Sequence, residues 1–259
     1  MSRSTLQPDT EPVTSVDHIL ALENTTAVFD GFKALDIEHL EIARDELRVV
    51  IGPNGAGKTT LCDVISGKTR LAGGRVVFDG TDITGWSEFQ IARRGVGRKF
   101  QTPKGFGSLT VYENVDLALP GSHGILDNIW RRPSLKVKNS IFEVLESVGL
   151  AYSAGMKAEN LGHGQRQALE IAMLLISKPQ LLLVDEPAAG LSDTEAFGTA
   201  ELLLRLKGHH TMLVIEHNMD FVRHLDADVT VLNEGKVLAQ GPMREIQQNP
   251  EVIEAYLGR

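Results

Sequence analysis

The chain lacks what would make it a disulfide-stapled, membrane-spanning or nucleic-acid-coating protein. Cys62 is its one cysteine in 259 residues, so no internal disulfide can form, and that usage suits a reducing cytoplasm. No stretch approaches eighteen consecutive apolar residues, which means that any membrane role has to come through a partner. The first eighteen residues are polar, carry Pro8 and Pro12, and lack the apolar centre of a signal peptide; they are expected to form a flexible tail. Basic residues number 26 against 34 acidic ones, a formal charge of −8, which argues against a dominant nucleic-acid surface but leaves room for local basic patches. No histidine or cysteine pair has zinc-site spacing, no internal repeat marks a second copy of a domain, and no long heptad insertion is present.

What is present is concentrated in a few short segments. Glu46 to Ser66, ELRVVIGPNGAGKTTLCDVIS, reads as a buried strand, a glycine-rich loop and a helix, and it matches the template G-x-x-x-x-G-K-[ST] at every fixed position. Gly52, Gly55 and Gly57 allow a sharp turn in which successive N–H groups and the positive end of the helix face one phosphate chain; Pro53, Asn54 and Ala56 complete that loop. Lys58 is placed to reach β- and γ-phosphates, Thr59 to hold Mg²⁺, and Thr60 follows on the helix. A glycine-rich turn without function would not need the strand before and the helix after. The segment therefore predicts binding of a nucleoside triphosphate with Mg²⁺.

Leu181 to Val184 is an unbroken apolar run ending in Asp185 and Glu186, the pattern of a parallel strand buried on both faces with acids at its carboxyl end. Ligands of open α/β sheets sit at that edge, which places Asp185 near the Mg²⁺ shell and Glu186 where it can orient or deprotonate an attacking water. An acidic pair after a strand also suits a helix N-terminus, but Pro187 and the upstream phosphate loop favour the chemical reading. A second strand, Met212 to Ile215, ends in Glu216 and His217. His209, His210 and His224 read as ordinary surface residues.

LGHGQRQALEIAMLL at Leu161 to Leu175, followed by PQLLLVDEPAAGLSD at Pro179 to Asp193, resembles the nucleotide-binding subunits of ABC transporters, and the resemblance runs from about Leu22 to Arg259. It implies an α/β phosphate-loop NTPase of the ABC type: a RecA-like core with a mainly parallel sheet, an antiparallel β part and a helical subdomain. GRKFQ at Gly97 to Gln101, EHNMDFV at Glu216 to Val222 and the ending NPEVIEAYLGR look most like the ATP-binding subunits of urea importers, within the branched-chain amino acid and urea branch. The resemblance makes His217 the switch histidine at the γ-phosphate, Gln101 a Mg²⁺ ligand near the permease contact, and Phe29 the aromatic stacked on adenine, with Phe32 a nearby competitor. It makes Leu161, Gly162, His163, Gly164 and Gln165 a signature that covers ATP held by a second subunit, paired head to tail. Gly162 stands where most relatives have serine, and Ser192 where many have aspartate.

The implied machine is an ATPase that energises an importer of urea or branched-chain amino acids, peripheral on the cytoplasmic face through permease subunits that dock near Gln101 and the helical subdomain. The alternatives are a soluble ABC ATPase without a permease, and a nucleotide-gated module with weak hydrolysis because of Gly162. Residues 19–259 read as one domain: a core in 19–100 and 161–259, and a helical subdomain in 101–160. In the latter, Ile141, Val144, Leu145 and Val148 fall at helical spacing, and Pro120 to Ser134 reads as a loop. Near the end, VTVLNEGKVLAQG predicts two strands around Asn233 to Gly235, and Pro242 and Pro250 each open a short helix.

Overall fold

The computed structural model describes residues 17–98, 106–120 and 134–257. Ten strands are described: β1 (His18–Phe29), β2 (Phe32–Ala43), β3 (Leu47–Ile51), β4 (Gly73–Phe78), β5 (Thr81–Asp82), β6 (Val96–Arg98), β7 (Leu181–Asp185), β8 (Thr211–Ile215), β9 (Asp228–Asn233) and β10 (Lys236–Pro242). The described α-helices are α1 (Lys58–Ile65), α2 (Glu88–Arg94), α3 (Val111–Leu117), α4 (Leu135–Ser147), α5 (His163–Leu175), α6 (Asp193–Leu206), α7 (Met219–Leu225), α8 (Met243–Ile246) and α9 (Pro250–Leu257). The first strand begins at His18, one residue inside the segment expected to be tail, and Asp17 pairs with Arg44 at 2.9 Å.

Six strands form a sheet ordered β10-β9-β3-β8-β7-β6, in which all neighbours are parallel except β10, which returns antiparallel on β9. A second sheet, ordered β2-β1-β4-β5, is antiparallel throughout. Its long β1–β2 hairpin turns at Asp30 and Gly31, both with positive φ (48° and 82°), the geometry that a two-residue hairpin turn requires.

The continuous apolar runs of β7 and β8 are explained by burial on both faces. Leu182, Val184, Met212 and Val214 enter one core, which α5, α6 and α7 close; Leu181, Leu183, Leu213 and Ile215 enter the other, shared with α1 and the antiparallel sheet. The described helical segment between β6 and α5 joins the first core through Val111, Val115, Ile141, Leu145 and Val148, while Val144 is half-buried. Most of the Pro120 to Ser134 segment lies outside the described residues; Ser134 caps α4 by accepting from the Val137 N–H.

Helix starts follow from local side chains. Ser87 with Gln90, Thr110 with Glu113 and Ser192 with Glu195 form reciprocal capping boxes at α2, α3 and α6. Each such cap stabilises its helix by about 1 kcal/mol. Ser192 therefore has a local task at the position where many cassettes carry aspartate. Asn218 caps α7 by accepting from the N–H groups of Asp220 and Phe221.

Candidate functional site

Because β3, β8 and β7 are adjacent and parallel, the segments that leave their carboxyl ends share one edge of the sheet. The loop Gly52–Gly57 leaves β3, Glu186 follows β7, and Glu216 and His217 follow β8. The structure thus brings together Lys58, Asp185, Glu186 and His217 from segments as far apart as 159 positions in the chain.

The loop accepts only glycine at two positions. A Cβ on Gly52 would stand 2.2 Å from the carbonyl oxygen of Leu232, and one on Gly57, which has φ 99°, 2.6 Å from that of Ala34. Strand β9 and hairpin strand β2 therefore press on the loop from two sides. Lys58 is buried, and its ammonium donates to the carbonyls of Gly52 at 2.7 Å and Pro53 at 3.0 Å. Burial lowers its pKa, while Glu186 and Asp185 act in the opposite sense. Thr59 is exposed on the first turn of α1, Thr60 is half-buried, and Asn54 and Gly55 are exposed at the loop tip.

Asp185 supplies the test of whether Mg²⁺ fits. Both of its carboxylate oxygens are buried without a hydrogen-bond partner among the described residues, an arrangement that is costly unless a cation completes it. Burial raises its pKa, opposed first by Arg98, whose Nη2 lies 3.9 Å from Oδ2, beyond hydrogen-bond range. No cluster of three or more His, Cys, Asp or Glu capable of holding a metal occurs among the described residues. Mg²⁺ takes one or two protein oxygens and completes its shell with phosphate and water. Thr59 and Asp185 fit as holders; Gln101, the third expected ligand, lies outside the described residues.

Glu186 adopts φ 48°, a left-handed conformation that costs a non-glycine residue about 1–2 kcal/mol. Its Oε1 stands 3.6 Å from Nδ1 of His217, and both side chains are substantially exposed. His217 thus faces the acid that follows β7. Phe29 and Phe32 are paired across the hairpin tip, and both are exposed. The exposed rings suit a stacking surface, with Phe32 the more open of the two.

In the signature, Leu161 is buried, Gly162, His163 and Gln165 are exposed, and α5 begins at His163. The Gly162 N–H donates to Gln165 Oε1 at 3.2 Å, and the Gly164 N–H donates to Glu195 Oε1 at 3.2 Å. Both N–H groups are thus engaged within the chain. The reason is local: glycine at the N-cap leaves the Gln165 side chain to close the helix start, and Glu195 stands beside it.

Several residues escaped sequence reasoning. Arg98, ending β6, pairs with Asp63 at 2.6 Å and donates to Ser66 Oγ at 2.8 Å, tying the end of α1 to the strand beside Asp185. Gln167 on α5 donates to the Pro187 carbonyl at 2.7 Å, and Glu216 is fully buried beneath this sheet edge. Desolvation pushes the phenol of Tyr256 on α9 up to about 12, against the opposing effect of the Gly52 backbone. Only Glu216 gave a signal, as the acid that ends the apolar run Met212 to Ile215. The others are long-range contacts that no local pattern encodes.

A parallel sheet with a glycine-rich phosphate loop at its carboxyl edge and a flanking antiparallel sheet define a phosphate-loop NTPase of the cassette type. The family described as ABC transporter matches residues 35–189, and that described as branched-chain amino acid ATP-binding cassette transporter matches residues 236–259. The chain is 36% identical over 252 residues to the high-affinity branched-chain amino acid transport ATP-binding protein LivG of Escherichia coli, covering 93% of this chain and 98% of that one. It is 35% identical over 252 residues to BraF, a protein of the same description from Pseudomonas aeruginosa, with the same coverage. The ADP conformation of MJ1267, an ATP-binding cassette of an ABC transporter, superposes with a TM-score of 0.82 at 33% identity, covering 93% of this chain and 99% of that one. The chain belongs to the ATP-binding cassette family of ABC transporters, ATPases coupled to transport.

Proposed function

We propose that the chain is the ATP-hydrolysing subunit of an importer for branched-chain amino acids. The convergence of Lys58, Asp185, Glu186 and His217 at one sheet edge carries the hydrolytic part of this reading. The solute rests on the relatives, whose names speak of branched-chain amino acids. Urea, suggested by GRKFQ and the chain's ending, has no support from those names.

In this reading the loop N–H groups and the start of α1 hold the phosphates of ATP, Lys58 turns from the loop carbonyls to the β- and γ-phosphates, and Phe29 stacks on adenine. Thr59, Asp185 and Gln101 hold Mg²⁺, which when bound neutralises phosphate charge. Glu186 takes the proton of the attacking water or orients it, and His217 steadies Glu186 and the γ-phosphate. The signature Leu161–Gln165 serves a second subunit's ATP, paired head to tail. Its support is an open groove of about 430 Å³ lined by Gly162, Gly164, Gln165 and Glu195. Permease subunits dock near Gln101 and the helical segment, holding the chain at the cytoplasmic membrane face. No described helix is long and apolar enough to cross a membrane.

The engaged N–H groups of Gly162 and Gly164 favour a second reading in one respect, a cassette whose hydrolysis is slow until a partner's phosphates displace Gln165 and Glu195. Reconstitution with the permease pair and solute-binding protein tests both. Leucine, isoleucine or valine should stimulate phosphate release; stimulation by urea alone would reassign the solute, and none by any solute would favour the nucleotide-gated reading.

A further inference from the structure

Glu216 is a carboxylate with no exposed surface, one residue beyond β8. Its partners are three backbone N–H groups from two loops. Oε1 accepts from Ala188 at 2.7 Å; Oε2 accepts from His217 at 2.9 Å and Asn218 at 3.1 Å. The surrounding main chain is fixed as well: the Glu216 N–H donates to the Val50 carbonyl, and the Glu186 N–H to that of Ile215.

Asp185 and Ile215 are paired across β7 and β8, so Glu186 and Glu216 occupy equivalent positions on neighbouring strands. Their side chains take opposite courses, one outward to His217 and one inward. Burying a carboxylate is expensive, and only several well-aimed donors make it tolerable. Here those donors belong to the segments that carry the catalytic pair. Ala188 lies two residues after Glu186, in the turn closed by the Ala189 N–H on the Glu186 carbonyl, and His217 is itself a donor.

We infer that Glu216 is a positioning residue for ATP hydrolysis, a buried anion that ties the turn after Glu186 to the loop bearing His217 and so sets the approach of those two side chains. This rests on the hydrolytic roles proposed for Glu186 and His217. It separates two functions of the edge: Glu216 touches neither Lys58 nor the loop Gly52–Gly57 in any hydrogen bond among the described residues, so it governs turnover and leaves nucleotide affinity alone.

The test compares Glu216→Gln, Glu216→Asp and Glu186→Gln in the full chain. Steady-state phosphate release gives kcat, and a fluorescent ATP analogue with EDTA gives affinity without turnover. Glutamine retains the length but sets an NH₂ group against backbone donors, so kcat should fall about tenfold or more, as for a small displacement of reacting groups. Affinity should stay within about twofold, the split expected when an interaction used only in turnover is lost. Aspartate keeps both accepting oxygens on a shorter arm and should recover part of the loss. If Glu216→Gln does not fold, Glu216→Asp alone must still show a lower kcat at unchanged affinity. Wild-type kcat in the foldable variants, or parallel loss of kcat and affinity, would overturn the inference. Glu186→Gln separates the two levels: if it turns over normally the hydrolytic reading itself fails, whereas an inactive Glu186→Gln beside a normal Glu216→Gln refutes the role of Glu216 only.

Discussion

Nδ1 of His217 stands 3.6 Å from Oε1 of Glu186, although the two residues are 31 positions apart and leave different strands. The pair exists because β7 and β8 are parallel neighbours in register, so the residues just past their ends meet. His217→Ala should therefore lower kcat by about 10²-fold, in the range of an acid–base or orienting group, with ATP affinity held within about twofold. Single-turnover phosphate release with saturating MgATP measures it. A wild-type rate would detach His217 from the chemistry.

Lys58 is predicted to act in the opposite sense. Its ammonium rests on the carbonyls of Gly52 and Pro53 and can be redirected to phosphate oxygens without moving the backbone. Lys58→Ala removes a charge-assisted donor, and loss of about 1.5–3 kcal/mol corresponds to about 10- to 100-fold weaker ATP binding. Titration calorimetry checks this, and an unchanged Kd would remove Lys58 from the phosphate site.

Gly162→Ser is predicted to be tolerated and gainful. A Cβ there meets only Gln165 Oε1, at 3.9 Å, and the backbone angles are those of an ordinary helix cap, φ −66° and ψ 168°. Serine would complete a capping box with Gln165, adding a few tenths of a kcal/mol to stability. If the signature serves a partner's ATP, the hydroxyl also adds a donor to the developing phosphoryl charge, worth about 1 kcal/mol or about a fivefold faster turnover. The rate gain should appear only at protein concentrations that permit dimerisation. A gain independent of concentration would contradict action in trans.

His210, far from the catalytic edge, gives the chain a pH dependence of stability. Burial lowers its pKa below the usual 6.5, against the opposing effect of the Pro179 backbone. The unfolded chain then binds more protons than the folded one between the two values, so stability is full above the unfolded pKa and falls as pH drops through the folded one. Melting temperature should decline as pH drops below about 6.5, and less steeply in His210→Gln. Parallel curves for the two proteins would exclude His210 as the source.

Much of the fold and site is legible in the chain because the informative features are local. The phosphate loop needs six consecutive residues and two forbidden Cβ atoms, and the double burial of β7 and β8 leaves unbroken apolar runs that end in the acids. What is not legible depends on where strands pair. Leu232 and Ala34 oxygens shape the loop from β9 and β2, and Arg98, Gln167 and Glu216 act across 20 to 35 positions on groups that no periodicity connects. The engagement of Gly164 by Glu195 was likewise invisible, since Glu195 reads as a helix-capping acid and serves both tasks.

The central claim is that this edge hydrolyses ATP through Glu186, whose carboxylate faces His217 and lies beside the buried Asp185. Its most direct test is phosphate release by the wild-type chain and Glu186→Gln, each assembled with its permease partners at saturating MgATP. The amide keeps shape but can neither accept a proton nor carry charge, so turnover should fall by about 10²-fold or more while ATP stays bound. An ATP-held dimer should accumulate on size exclusion. Glu186→Gln turnover equal to wild type would contradict the account.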